Sequence, residues 1–293
     1  MNNHQSVVSV VMITYGHEKY IEEAINGVFI QQTDFPVELI IANDCSPDNT
    51  DEFVKKLLLK KPSNVIVKYI HHESNVGMVE NFVGALQQAH GKYIAICEGD
   101  DYWTDPLKLQ KQVDFLERNN DYVLCFTNRN ILKNDILEYS NPLFDKSSFT
   151  KTEIPFIHVP TLTVVFRNVV KQVPSPMQKA MIDASLFLFL SQFGSFYYLD
   201  EQSAVYRVHG EGMWSGNSEL RNYRRSVNTR LVAWKYLKNV DKISLANVLL
   251  HWISLAKYEE LKNKKYLWAA RSIFLEYFFN IYIWRHTPFL KKN

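Results

Sequence analysis

The stretch Ile94-Ala-Ile-Cys-Glu-Gly-Asp100-Asp101-Tyr-Trp103 carries the residue types best suited to chemistry. A short apolar run ends in two adjacent carboxylates and an aromatic pair. Residues 93–97 read as a buried strand, being apolar, short and bounded by Gly91 and Gly99. Two acids at the end of such a strand are unfavourable unless something positive meets them. Water can solvate them, and the pair is then an ordinary loop. A divalent cation holding a diphosphate uses them better. Hard cations take oxygen ligands, and Mg²⁺-type ions sit on one or two carboxylates plus substrate phosphates.

Polar clusters recur at similar places along the chain. Thr14-Tyr15-Gly16 closes the apolar run 7–14, and Asn43-Asp44-Cys45-Ser46 closes the run 37–42. Further runs at 65–71 and 123–127 also read as strands. Between them, residues 18–32, 51–61, 78–90 and 107–119 show helical spacing, the last opened by Asp105-Pro106 as N-cap and first-turn proline. Strand–helix alternation with short connections predicts an α/β, doubly wound, mostly parallel sheet flanked by helices. Ligands bind such sheets at the carboxyl ends of the strands, where all these clusters lie. Beyond residue 127 the alternation weakens. Residues 132–154 read as loop with short elements, 159–166, 196–199 and 203–208 as strands, and 181–193 as an apolar helix. From residue 220 the chain reads as a helical extension, so the division expected is 1–219 and 220–293.

The net charge of +2 hides an asymmetry. Residues 221–293 hold 15 Lys/Arg against 4 Asp/Glu, a net +11, which leaves −9 on the rest. A basic tail on an acidic body predicts an anionic partner for the tail. Its aromatic run from Tyr266 to Trp284, interleaved with Lys264, Lys265, Arg271 and Arg285, suits an interfacial helix on anionic lipid rather than nucleic acid. A helical pair packed on the body is the alternative. Cys45, Cys97 and Cys125 are too few and scattered for a disulfide framework or zinc site and read as buried, reduced thiols. No secretory signal or membrane-spanning run is evident.

Four motifs occur in order: Val8-Ser-Val-Val-Met-Ile-Thr-Tyr-Gly16, Glu38-Leu-Ile-Ile-Ala-Asn-Asp-Cys-Ser46, Asn75-Val-Gly77 with Asn81, and Glu98-Gly-Asp-Asp-Tyr-Trp103. Together, over roughly residues 6–212, the chain resembles glycosyltransferase family 2, whose members have the GT-A nucleotide-sugar-binding fold. The resemblance implies a role for each match. Thr14 and Tyr15 would line the nucleoside pocket, although Gly16 stands where the family usually has Asn. Asp44 would accept a hydrogen bond from the imide of the base, and Asn75 and Asn81 would run along the nucleotide side of the cleft. Asp101 would hold the metal, Mn²⁺ or Mg²⁺, with Asp100 on the ribose or donor sugar and Glu98 assisting. Asp183 would be the catalytic base, although Ile182 departs from the family's usual acid or glycine. Tyr206-Arg207-Val-His209 matches the closing segment, which puts Arg207 on phosphate, His209 on metal or diphosphate, and Trp214 under a sugar ring.

Taken singly, these residues have plainer readings. Asp44 fits a turn cap, Asp183 a helix N-terminal acid, Tyr15 a packed strand terminus and Asn81 a polar helix face. The resemblance implies an inverting transferase using a nucleotide-sugar donor, UDP-linked by preference. Its acceptor would be a glycan or lipid-linked glycan of a surface polysaccharide. It would work on the cytoplasmic side, peripheral to the inner face of the plasma membrane. A sugar nucleotidyltransferase is a second reading, but Thr14-Tyr-Gly-His17 lacks a glycine-rich phosphate loop. A non-catalytic glycan- or lipid-binding protein is a third.

Overall fold

A computed structural model describes residues 7–179, 181–210 and 217–263. The first half alternates as its apolar runs dictate: β1 (Val8–Thr14), α1 (Ile21–Phe29), β2 (Val37–Asn43), α2 (Thr50–Leu58), β3 (Val65–His71), α3 (Met78–Gln87) and β4 (Tyr93–Ile96). A two-residue strand β5 (Tyr102–Trp103), α4 (Lys108–Arg118), β6 (Tyr122–Lys133), β7 (Ile136–Glu138) and β8 (Ser148–Phe149) follow. The remainder comprises β9 (Val165–Arg167), α5 (Ser175–Gln178), α6 (Asp183–Leu190), β10 (Ser195–Val208), α7 (Glu219–Tyr236) and α8 (Lys242–Asn263). The strands form one sheet in the order β3-β2-β1-β4-β9-β6-β10-β5, with β7 on β6 and β8 on β10.

The apolar runs are continuous because both faces of the sheet are covered. Val8, Val10 and Met12 of β1 pack with Ile21, Ile25, Val54, Leu109 and Val113, on the side of α1, α2 and α4. Val11 of β1 and Ile40 and Ala42 of β2 face the other way, onto Phe82, Leu86, Leu186, Phe189, Ala233 and Leu245. Thus α7 and α8 join the same apolar cluster as α3 and α6. No helix among the described residues is long and apolar enough to cross a membrane. The basic aromatic run 266–284 and Trp214 lie outside the described residues.

The second half departs from expectation in several places. The run 159–166 is strand only from Val165, and β9 lies antiparallel between β4 and β6. Pro160 explains this: its carbonyl accepts from Thr163 N–H and from Thr163 Oγ1, closing a turn where a strand was expected. The two runs at 196–199 and 203–208 are one strand, β10, continuous through shifts of register near Gln202. Asp105 does not cap α4 directly. Its Oδ1 accepts from Leu107 N–H, and the helix starts at Lys108. Cys97 and Cys125 are buried thiols, but Cys45 is only half-buried, in a turn with φ 57°.

One polar lock sits inside the sheet. Ser9 Oγ donates to Glu38 Oε2 at 2.5 Å, and Glu38 also accepts from His90 N–H and faces His90 Nδ1, both at 3.0 Å. Burial pushes the Glu38 carboxyl up, but these partners outweigh it and hold it below the usual carboxylate value. A folded-state value below the unfolded one means stability that is present above the unfolded pKa and lost as pH falls through the folded one. Glu38→Ala is therefore expected to cost about 2 kcal/mol at pH 7, by leaving the Ser9 O–H and the His90 N–H without their acceptor. The gap from wild type should close below about pH 4. Urea midpoints across pH check this; a gap independent of pH would refute it.

Candidate functional site

The strand ends converge as the parallel order requires. Asp44 N–H donates to Thr14 O at 3.0 Å, and Gly99 N–H donates to Ile13 O at 2.9 Å, so three strand ends share one ladder of hydrogen bonds. Gly99 has no room for a side chain. A Cβ there would lie 2.8 Å from Thr14 Cβ and Oγ1 and 3.0 Å from His17 Nδ1. Glycine thus lets the acidic turn press directly on the end of β1.

At the end nearer β2, Tyr15 is 48% exposed, while Thr14 is buried with its hydroxyl 3.2 Å from His17 Nδ1. Asp44 is 3% exposed, and its oxygens accept from Val76 N–H at 2.7 Å and Gly77 N–H at 3.0 Å. That grip, with φ +89° at Gly77, sets the start of α3. Asn75 is exposed. Asn81 is buried, and both ends of its amide are engaged, Nδ2 on Ala42 O and Oδ1 facing His72 Nε2, each at 3.0 Å. The structure therefore makes Asn81 a strut between α3 and β2, which leaves Tyr15 and Asn75 as the open side chains here.

The turn after β4 holds the carboxylates apart by different partners. Asp100 Oδ2 lies 3.1 Å from His209 Nε2 and 3.8 Å from His17 Nε2. Asp101 is 4% exposed, and its Oδ1 accepts from the backbone N–H of Arg207 at 2.8 Å. So the carboxylate beside His209 is that of Asp100, whereas the sequence pattern had paired His209 with Asp101. Arg207 is likewise turned inward. Its guanidinium donates to Asp100 O at 2.7 Å, pairs with Glu23, and lies over the rings of Tyr20 and Tyr102. It braces the acidic turn rather than standing open for a phosphate. Trp103 Nε1–H donates to Leu162 O at 2.7 Å and fixes the far side of the turn.

Electrostatics follow from this crowding. Burial pushes the Asp100 carboxyl up, but His209 and His17 outweigh it and hold it below the usual value. Burial and the charges of Asp100 and Glu98 push Asp101 well above the usual value. Burial, then Asp100, and then Asp183 push Glu98 up to about 8, and its Oε2 is buried without a hydrogen-bond partner. Three carboxylates in one turn, one with an orphaned oxygen, fit a cation. Among the described residues no three acidic, imidazole or thiol groups already converge on one metal position. Asp100 and His209 could supply two donors, with phosphate oxygens and water completing such a shell.

Beside them a cleft of about 340 Å³ is lined by Gly16, Glu18, Lys19, Tyr20, His209 and Gly210. Asp183 is the first residue of α6. Ser185 Oγ accepts from Ile182 N–H at 2.8 Å and fixes the helix start just before it. Asp183 is exposed, and its charge acts on Glu98 of the acidic turn and on His158 and Arg230. Sequence reasoning missed His17, Tyr20 and Glu23. Only His17 carried a signal, standing three residues past a strand end already marked as a ligand edge.

Residues 9–173 match the family described as glycosyl transferase family 2, and the chain belongs to that family. An uncharacterised Mycobacterium tuberculosis protein is 36% identical over 226 residues, 76% of this chain and 64% of that protein. The chain thus spans under two thirds of such relatives. A Bacillus subtilis glycosyltransferase named for teichuronic acid biosynthesis is 28% identical over 71% of this chain and 81% of its own length. In fold, S. aureus TarS residues 1–349, solved with UDP-GlcNAc, matches with a TM-score of 0.62 at 19% identity, over 85% of this chain and 72% of that one. A Pyrobaculum calidifontis mannosyltransferase with GDP-Man and Mn²⁺ gives 0.60 at 17% identity, over 92% and 74%. These likenesses show the GT-A architecture.

Proposed function

We propose that the chain transfers a sugar from a nucleotide-sugar donor, UDP-linked, to a hydroxyl of a glycan or lipid-linked acceptor in surface polysaccharide synthesis, with inversion. The observation that carries this is the convergence of Asp44, the Glu98–Asp101 turn and His209 at neighbouring strand ends, with the charge of Asp183 acting on Glu98 of that turn. Family membership, the nucleotide-bound structures of the same fold and the teichuronic-acid relative support it.

In this reading Thr14, Tyr15, Asp44 and Asn75 take the nucleoside. Asp44 remains able to accept from a base imide through lone pairs its two backbone donors leave open. Asp100 and His209 would hold Mn²⁺ or Mg²⁺, and Asp101 and Arg207 keep that turn in place. A bound divalent ion supplies positive charge for the departing diphosphate. Asp183 takes the proton of the acceptor hydroxyl as that oxygen attacks the anomeric carbon and the bond to the nucleoside diphosphate breaks. In this reading residues 1–219 carry the machinery, and α7 and α8 of the extension pack on it through the shared apolar cluster. Exposed Trp234, Ile243 and Leu250, with Lys242 over the Trp234 ring, support peripheral contact with an anionic membrane. Failure to sediment with anionic vesicles would remove that contact.

Thermal stabilisation by UDP, dTDP, GDP and CMP, with and without Mn²⁺, tests the transferase reading. One nucleotide at ~100 times its dissociation constant should add ~2.7 kcal/mol, dependent on metal. Indifference to all four nucleotides would overturn the reading.

A further inference from the structure

Arg207, the residue expected on phosphate, is committed elsewhere. It pairs with Glu23, donates to Asp100 O and lies over the Tyr20 and Tyr102 rings. A nucleoside diphosphate carries more negative charge than one divalent ion cancels, so its seat calls for a further cation. The loop between β1 and α1 holds one. The backbone donors of that loop are taken: Gly16 N–H donates to Ser46 Oγ at 3.1 Å, His17 N–H to Thr50 Oγ1 at 2.9 Å and Glu18 N–H to Asp48 Oδ2 at 3.0 Å. The Glu18 carboxylate is taken as well, accepting from Asn49 N–H and Nδ2, each at 3.0 Å. On the other side, the Tyr20 ring lies with its centre 5.0 Å from that of His209. Lys19 stands between these two held neighbours. It is exposed and makes no hydrogen bond or ion pair among the described residues.

Lys19, Tyr20 and His209 line one cleft of about 340 Å³, and Lys19 is the one lysine or arginine on its wall. Two glycines, Gly16 and Gly210, keep the wall open: a Cβ built on either meets nothing within 4 Å. At His209 the cleft adjoins the acidic turn, since Asp100 Oδ2 is 3.1 Å from His209 Nε2. None of Thr14, Tyr15, Asp44 and Asn75, the residues proposed for the nucleoside, lies on this wall. What enters here is therefore the part of the donor beyond the nucleoside, on the side of the proposed metal seat. A lysine ammonium is a compact point charge on a flexible stem with three donors, which suits a phosphate that offers oxygens in several directions.

We propose that this cleft seats the terminal phosphate of the donor's diphosphate and that Lys19 is its side-chain cation, in the role expected of Arg207. This rests on the transferase reading above and adds a donor-binding residue to it.

The test titrates UDP, UMP and uridine calorimetrically into the full chain with saturating Mn²⁺, as wild type, Lys19→Gln and Lys19→Arg. UDP should bind Lys19→Gln about tenfold more weakly than wild type, the scale of one charge-assisted hydrogen bond. UMP and uridine should bind both proteins alike, because neither carries a terminal phosphate into the cleft. Lys19→Arg should keep most of the UDP affinity, since it keeps the charge. Mn²⁺ alone, followed by electron paramagnetic resonance, should bind all three proteins equally, which separates Lys19 from the Asp100–His209 seat. Equal UDP affinity in wild type and Lys19→Gln would overturn the proposal, and so would UMP and uridine weakening in step with UDP. Unchanged UDP affinity with a raised acceptor KM would overturn it too, by moving Lys19 to the acceptor. A wild type that binds none of the three ligands sinks the UDP-transferase reading and the proposal with it, whereas a negative result confined to Lys19→Gln leaves that reading standing.

Discussion

Asp183→Asn is expected to lower kcat by ~10²–10⁴, the usual range for loss of a general base. Nucleotide affinity should be unchanged. The substitution is nearly isosteric, and the side-chain oxygen that now accepts from Ala184 N–H at 2.6 Å can still do so. What disappears is the ability to take a proton. Asp44 and the Asp100 turn sit on other elements and do not depend on Asp183 for position. The donor KM should therefore hold while kcat falls, the signature of an interaction made only in the transition state. An asparagine variant turning over at near wild-type kcat would remove Asp183 from the mechanism.

Asp100→Asn is expected to abolish the Mn²⁺-dependent part of stabilisation by the nucleotide, a loss of up to ~2.7 kcal/mol at saturating ligand. Asp101→Ala should act otherwise. It removes the acceptor for Arg207 N–H and costs about 1–3 kcal/mol of intrinsic stability, the scale for an unpaired buried donor. Its response to Mn²⁺ should persist. Electron paramagnetic resonance of free Mn²⁺ reads metal binding directly and does not require turnover. The reverse outcome, metal binding lost in the Asp101 variant and kept in the Asp100 variant, would return the metal to Asp101.

The two adjacent acids show where sequence stops being sufficient. That Glu98–Asp101 is the place to look for a cation was legible, because carboxylates closing a doubly buried strand call for water or a positive partner. Which of the neighbours would face such a cation was not, since that depends on β10. Its Arg207 backbone captures Asp101, and two residues later its His209 meets Asp100. The same holds for Asn81, whose spacing suits a ligand edge but whose amide is consumed by Ala42 and His72. The parallel half of the fold was readable because its apolar runs have one use each. The insertion of β9 between β4 and β6 was not, because three strand residues after a proline-led turn carry almost no periodicity.

Gly99 brings a last consequence. With its backbone against Thr14 and its N–H on Ile13, the strand end proposed to read the base and the carboxylates proposed to face the metal are held together. A nucleotide laid across them meets a caliper with fixed jaws. Such a site gauges the reach from base to terminal phosphate, so nucleoside monophosphates should fall short of the far jaw even when their base is the right one.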